Sequence, residues 1–149
     1  MALSNRFLSV CVVLAAAPAL LGAPLMYRAE TTISLPAAGE DVALSIKPYK
    51  GSQFEARVSS VRLELTGEAS ADPVEGDWTF LATNGDGQMH RVEITVRLQN
   101  ESGKQVAQFS GKCILTPGAR DQACKVSMKA DAEDWKATKA VRIVTDWMS

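Results

Sequence analysis

Histidine, cysteine and carboxylate side chains are the groups that could do chemistry in this sequence, and they are sparse. His90 is the only histidine in the 149 residues. A Ser-His-Asp or Cys-His mechanism needs such a residue as its base. Because His90 starts an amphipathic segment beside a turn, we interpret it as a solvated residue at a strand end. We therefore predict no catalytic residue and no enzymatic activity.

The cysteines form a second candidate group. Two of the three, Cys113 and Cys124, lie beyond the apolar N-terminus, and an even pair in an oxidising compartment is typical of a disulfide. If a β-hairpin turns just after Gly118, Cys113 faces Cys124, and on the same face Gly111 meets Val126. The alternative, two unrelated buried thiols, does not account for this register. We predict a structural disulfide that staples a hairpin and leaves no thiol for catalysis.

Metal-binding patterns are incomplete. One histidine and two paired cysteines cannot supply the three or four ligands of a zinc site. Asn84–Gly87 matches part of a calcium loop, but its first ligand position falls on Ala82, so we interpret the segment as a turn. Asp131, Glu133 and Asp134 indicate a solvated acidic loop, with a low-affinity cation site as the alternative. No metal and no cofactor is predicted.

Charge excludes one class of partner. The chain carries 16 Lys and Arg against 17 Asp and Glu, without the clustered basic excess that accompanies nucleic-acid binding.

Asn100 begins an Asn-Glu-Ser sequon at a hairpin tip, which is a glycosylation acceptor only in a eukaryotic host.

The N-terminus indicates export. No charged residue occurs from Phe7 to Tyr27, and Arg6 precedes this run, as in a secretory signal peptide. The run also approaches the roughly 20 residues that span a bilayer. Residues 1–27 are thus either a signal peptide, cleaved between Leu20 and Arg28, or a retained anchor. In both cases we expect the remaining chain outside the cytoplasm, in a bacterial periplasm or secreted.

Alternation with period two dominates the chain after residue 40 and predicts half-buried strands of antiparallel sheets. The candidates are Val42–Lys47, Val61–Thr66, Asp77–Ala82, Arg91–Leu98, Gln105–Leu115, Ala123–Lys129 and Ala140–Trp147. About seven strands separated by polar turns indicate an all-β fold, an immunoglobulin-like antiparallel β-sandwich over residues 41–149. Residues 28–40 are a leader or a first edge strand. Ala130–Ala137 is expected to be a short helical turn between the sheets.

The three tryptophans differ in their expected roles. Trp78 and Trp147 lie in phase with apolar strand neighbours, so we assign both to the core. Trp135 lies in the irregular segment Glu-Asp-Trp-Lys. It either caps one end of the sandwich or presents an aromatic anchor to a partner.

The stretch Trp78–Trp147 resembles the bacterial FxLYD-like and related immunoglobulin-like envelope domains. Its segments HRVEITVRLQNESGKQV and ILTPGARDQACKVSM follow that group's layout of strand, polar glycine turn, strand, Leu-x-Pro-Gly and strand. The turn falls at Asn100–Lys104 and the Pro-Gly at Pro117-Gly118. The motif Phe-x-Leu-Tyr-Asp is absent, and Val96–Asn100 stands in its place. The resemblance implies a non-catalytic extracytoplasmic module.

Two functions remain open from the sequence. The first is a non-enzymatic extracytoplasmic module that mediates protein–protein interaction with an unidentified protein. The second is a structural subunit of a surface or secretion assembly, in which an edge strand pairs with a neighbouring subunit and residues 28–40 donate that strand. In both, the membrane is met only through an uncleaved N-terminal segment.

Overall fold

The computed structural model describes residues 26–48 and 56–148. These residues form eight strands and one short helix: β1 Met26–Ser34, β2 Asp41–Ile46, β3 Ala56–Leu65, β4 Val74–Asn84, β5 His90–Gln99, β6 Gln105–Leu115, β7 Gln122–Ala130, α1 Ala132–Ala137 and β8 Ala140–Met148. The proposed signal or anchor lies almost wholly outside the described residues. Within them, no helix has the length and apolar character needed to cross a bilayer.

The strands form two four-stranded antiparallel sheets. Sheet A has the order β1-β8-β5-β6 and sheet B the order β2-β3-β4-β7. The predicted all-β sandwich is confirmed, with eight strands rather than about seven. The apolar face of each sheet packs against the apolar face of the other, because a single sheet could not bury its own apolar face.

Two connections between the sheets interlock. The chain passes from β4 in sheet B to β5 in sheet A, and later from β7 in sheet B to β8 in sheet A. The strands that precede the two connections, β4 and β7, pair with each other, and so do the strands that follow them, β5 and β8. Immunoglobulin domains have the same relationship between their B–C and E–F connections. Helix α1 makes the second crossing, which confirms the short helical turn expected at Ala130–Ala137.

Strand β1 takes the edge position beside β8. In an immunoglobulin domain that position belongs to the C-terminal strand G, whereas here the N-terminal segment fills it. Met26 faces Met148 at one end of the ladder and Ser34 faces Ala140 at the other. The strand begins two residues before the segment 28–40 and ends two residues before Pro36, which has no backbone N–H for a ladder.

Alternation along the strands builds the core. On β5, every second side chain from Val92 to Leu98 is buried between the sheets, as the period of two predicts. Trp78 and Phe80 on β4 are fully buried, as is Trp147 on β8. Both tryptophans therefore have the core positions assigned from the sequence.

The prediction of a β-hairpin around Gly118 is wrong. Strand β6 pairs with β5 in sheet A, and β7 pairs with β4 in sheet B, so they share no hydrogen-bonded ladder. The Thr116–Asp121 segment carries the chain from one sheet to the other along an edge of the sandwich. Strands β6 and β7 run antiparallel and face each other from different sheets. Their side chains therefore meet as the sequence suggested, although their backbones do not pair.

Candidate functional site

The disulfide between Cys113 and Cys124 is present, and it joins the two sheets. The Cα atoms are 5.6 Å apart, within the usual range for a disulfide. Gln122, two residues before Cys124, adds a second link because its Nε2 donates to the carbonyl of Ile114 at 2.8 Å. The predicted pairing is thus confirmed, and its place is the edge between sheets rather than a hairpin.

Gly111 explains how β6 and β7 come so close. A Cβ atom at this position would lie 2.5 Å from the backbone oxygen of Lys125 and 3.2 Å from the Cγ2 atom of Val126. Real Cβ atoms do not approach a carbonyl oxygen so closely. The absence of a side chain at Gly111 therefore lets the strands meet where the disulfide closes.

His90 is buried, and the prediction of a solvated histidine is wrong. Its side chain is on the core-facing phase of β5 with Val92, and the residue is 2% exposed. Its Nε2 atom lies 2.6 Å from Oδ2 of Asp86 in the turn that precedes β5. This hydrogen bond fastens the turn to the first residue of the strand.

The Asn84–Gly87 segment is a turn, as interpreted, and it is a polar junction between the β4–β5 and β6–β7 connections, both of which cross from one sheet to the other. Asn84 is buried, and its Nδ2 donates to the carbonyls of Gln88 at 2.8 Å, Thr116 at 3.1 Å and Leu115 at 3.3 Å. Its Oδ1 accepts from the backbone N–H of Asp86 at 3.0 Å. One amide thus satisfies carbonyls from both crossings, which gives this group a structural role.

Two of the three acidic residues in the β7–β8 connection, Glu133 and Asp134, lie in helix α1 rather than in a loop. Asp131 precedes the helix, and Glu133 and Asp134 occupy its first turn, where carboxylates are favoured by the helix dipole. Among residues 26–48 and 56–148, no group of three or more His, Cys, Asp or Glu side chains is arranged to hold a metal ion.

Trp135 lines a cleft at the end of the sandwich that carries α1. The residue is half-buried and packs against the core, while the cleft beside it has a volume of about 400 Å³. Ala132 and Lys136 contribute from the helix, and Ala69 and Ser70 from the loop between β3 and β4. Trp135 therefore caps this end of the sandwich and keeps part of its side chain exposed, while its role as an anchor for a partner stays a prediction.

The two walls of the Trp135 cleft are held together by one polar contact. The backbone N–H of Ala132 donates to Oδ1 of Asp72 at 3.3 Å, across 60 residues of sequence. Exposed carboxylates adjoin the lining residues in sequence, since Glu68 precedes Ala69 and Asp131 and Glu133 flank Ala132. Lys136 lines the cleft itself. The cleft thus combines an aromatic surface with one lysine and with carboxylates that neighbour its lining residues in sequence.

A second depression lies on the other side of α1. It has a volume of about 540 Å³ and is lined by the Asn100–Ser102 hairpin tip together with Ala137 and Lys139. Asn100 Oδ1 accepts hydrogen bonds from the Ser102 N–H, the Ser102 hydroxyl and the Lys104 N–H. The hairpin tip predicted at the sequon is confirmed.

The loop from Thr66 to Pro73 is the part of the site that the sequence did not reveal. Ala69 and Ser70 are small residues with no distinctive spacing, and they reach Trp135 only because β4 and β7 pair side by side.

No protein-family model and no curated protein sequence matches the chain. The resemblance to FxLYD-like domains stays a prediction.

Proposed function

We propose that this chain is a non-enzymatic extracytoplasmic module that binds a protein partner through the Trp135 cleft. The observation that carries the proposal is the contrast among the three tryptophans. Trp78 and Trp147 are 0% exposed, whereas Trp135 is half-buried and lines a cleft. Tryptophan is enriched among the few residues that carry most of the binding energy of protein interfaces.

The chemistry of the cleft favours a basic partner segment. Trp135, Ala132 and Ala69 offer an apolar surface. Three exposed carboxylates, Glu68, Asp131 and Glu133, adjoin these lining residues in sequence, against one lining cation, Lys136. In a matching partner segment, an apolar side chain would pack on the apolar surface, and flanking Lys or Arg residues would pair with the carboxylates. Electrostatic complementarity of this kind raises the association rate and selects the partner.

The location outside the cytoplasm rests on two features of the chain. The uncharged run up to Tyr27 is typical of an export or anchor segment, and the Cys113–Cys124 disulfide favours an oxidising compartment. The non-enzymatic role rests on His90. A substrate would have to displace Asp86 and open the turn before reaching Nε2 of this buried histidine.

The proposal is tested by crosslinking in intact cells. Exported protein carrying an affinity tag is crosslinked, purified and analysed by mass spectrometry, in the wild type and in Trp135→Ala. Because truncation of a hot-spot tryptophan costs 2 kcal/mol or more, we expect the partner's recovery to fall at least about tenfold.

The control for this experiment is Phe109→Ala, which also truncates a half-buried aromatic residue packed against the core but lies outside the cleft. Unchanged recovery in Phe109→Ala would show that loss of partner follows from the cleft. Equal recovery from the wild type and Trp135→Ala would contradict the proposal.

A structural subunit is the second candidate function. It is favoured by the position of β1, an N-terminal strand that lies at a sheet edge and pairs only with β8. In an assembly, such a strand could pair with a neighbouring subunit. Light scattering on the native exported protein and on a variant lacking Arg28–Glu40 tests this, and an unchanged assembly size would count against it.

A further inference from the structure

Three large apolar side chains are exposed in the part of the chain that the structure describes, and all three lie at the same end of the sandwich. They are Met26, Met89 and Ile114, which are 65%, 59% and 52% exposed. The register of sheet A places Met26 beside Met148, Met148 beside Arg91 and Arg91 beside Ile114. Met89 directly precedes β5. These side chains therefore form an apolar row around Arg91 at one end of the outer face.

The charges of this end differ from those of the opposite end. Among the described residues in its loops and at its strand ends, the exposed charged side chains are three cations, Lys47, Arg91 and Arg120, and one carboxylate, Asp121. The loops at the other end, where the Trp135 cleft lies, have six exposed carboxylates: Glu40, Glu68, Asp72, Glu101, Asp131 and Glu133. They have three exposed lysines: Lys104, Lys136 and Lys139. Over residues 26–48 and 56–148, one end of the sandwich is therefore basic and apolar and the other is acidic.

The sequence indicates what meets the basic end. Met26, the first residue of β1, directly continues the run that has no charged residue from Phe7 onward. If this run is a retained anchor, a bilayer lies at the end where Met26, Met89 and Ile114 are exposed. Apolar side chains that enter the headgroup region, together with Lys and Arg opposite lipid phosphates, are the features of a protein surface that binds anionic membranes.

We propose that the basic end of the sandwich docks on an anionic phospholipid surface. Met89 and Ile114 enter the headgroup region, and Arg91 and Arg120 pair with lipid phosphates. This orientation turns the Trp135 cleft away from the bilayer. The proposal goes beyond the partner-binding function and does not depend on it, since it concerns the opposite end of the molecule.

Fluorescence in reconstituted vesicles tests the docking. The full chain with Cys11→Ser and Met89→Cys is labelled with an environment-sensitive dye, while the Cys113–Cys124 disulfide stays oxidised. It is reconstituted into vesicles of phosphatidylcholine with phosphatidylglycerol, or of phosphatidylcholine alone, that contain a headgroup-linked quencher. We expect strong quenching at position 89 only in the anionic vesicles, and little at position 136 in the matched Lys136→Cys protein.

Charge reversal distinguishes docking on the lipid surface from simple tethering by an N-terminal anchor. A tether alone would hold position 89 near the bilayer whatever the lipid charge. Because each Lys or Arg near an anionic surface contributes about 1 kcal/mol, Arg91→Glu with Arg120→Glu should lower the ratio of docked to undocked domain at least about tenfold. The matched pair Lys104→Glu with Lys139→Glu, at the acidic end, should leave it unchanged.

Four results would overturn the proposal. The first is equal quenching at position 89 in both kinds of vesicle, and the second is quenching that the Arg91 and Arg120 reversals leave unchanged. The third is stronger quenching at position 136 than at position 89. Shielding of position 89 that appears only after addition of a second protein would also overturn it, because the occupant would then be a protein surface.

Discussion

Cys113 of β6 and Cys124 of β7 connect two strands that belong to different sheets, with their Cα atoms 5.6 Å apart. Two residues earlier on β6, Gly111 lies against Val126 of β7. The disulfide therefore closes one open edge of the sandwich, where the sheets are held face to face by side-chain packing and not by backbone hydrogen bonds.

Removal of the disulfide should destabilise the fold without abolishing it. Cys113 and Cys124 are 11 residues apart in sequence, and a loop of this length corresponds to about 3 kcal/mol in the chain-entropy description. We expect Cys113→Ala with Cys124→Ala to lower the free energy of unfolding by about that amount in urea denaturation. A loss below about 1 kcal/mol would show that the cross-link contributes little to this edge.

Gly111→Ala should destabilise the domain more than another glycine substitution. The new methyl group would collide with the carbonyl of Lys125, so β6 and β7 would have to move apart. We expect a loss of about 1–3 kcal/mol, as in other overpacked cores. The matched control is Gly87→Ala, where the added Cβ meets nothing within 4 Å. Equal stabilities of the two variants would contradict the close approach of the strands.

Asn84→Ala tests the polar junction between the sheet crossings. The substitution leaves the carbonyls of Gln88, Leu115 and Thr116 without their shared donor. An unsatisfied buried polar group costs about 1–3 kcal/mol, and we expect a loss of about 2 kcal/mol in thermal or urea unfolding. The control is Asn100→Ala at an exposed hairpin tip, where water can replace the lost contacts. If both variants lose the same stability, the junction at Asn84 has no special role.

The ion pair between Asp41 and Arg62 predicts a pH effect. Arg62 donates from Nε at 2.8 Å and from Nη2 at 2.7 Å to the two carboxylate oxygens of Asp41. These hydrogen bonds, and the charge of Arg62, hold the pKa of Asp41 below its ordinary value of 3.8. Because the folded pKa is lower than the unfolded one, the contribution to stability is present at neutral pH and is lost as the pH falls through the folded pKa.

An NMR titration of the Asp41 carboxyl carbon checks this pH effect. The midpoint should lie below 3.8 in the wild type and should rise toward that value in Arg62→Gln. Identical midpoints in the two proteins would show that the ion pair does not persist in solution.

Much of the fold could be predicted because strand alternation is a local property. The alternation from Arg91 to Leu98 identified β5, and β6 was predicted with the bounds it has. The partner strand is a non-local property. Cys113 and Cys124 have the same relative position whether their strands pair by hydrogen bonds or face each other across two sheets, so register alone could not distinguish a hairpin from a crossing.

The misassigned histidine had a signal in the sequence. His90 is two residues before Val92 and four before Ile94, so it has the core-facing phase of β5, and Asp86 in the preceding turn could supply a hydrogen-bond partner. The Trp135 cleft had no such signal on its second wall. Ala69 and Ser70 come close to Trp135 only through the pairing of β4 with β7, and no local pattern encodes that pairing.

Site-specific photocrosslinking tests whether the Trp135 cleft binds a protein partner. A photoreactive phenylalanine analogue is placed at position 135 or 69 of the exported protein in intact cells, and at position 108 on the exposed face of β6 as a control. Binding through the Trp135 cleft predicts one discrete protein adduct shared by positions 135 and 69 and absent at 108. The absence of an adduct at both cleft positions, or the same adduct at position 108, would contradict it.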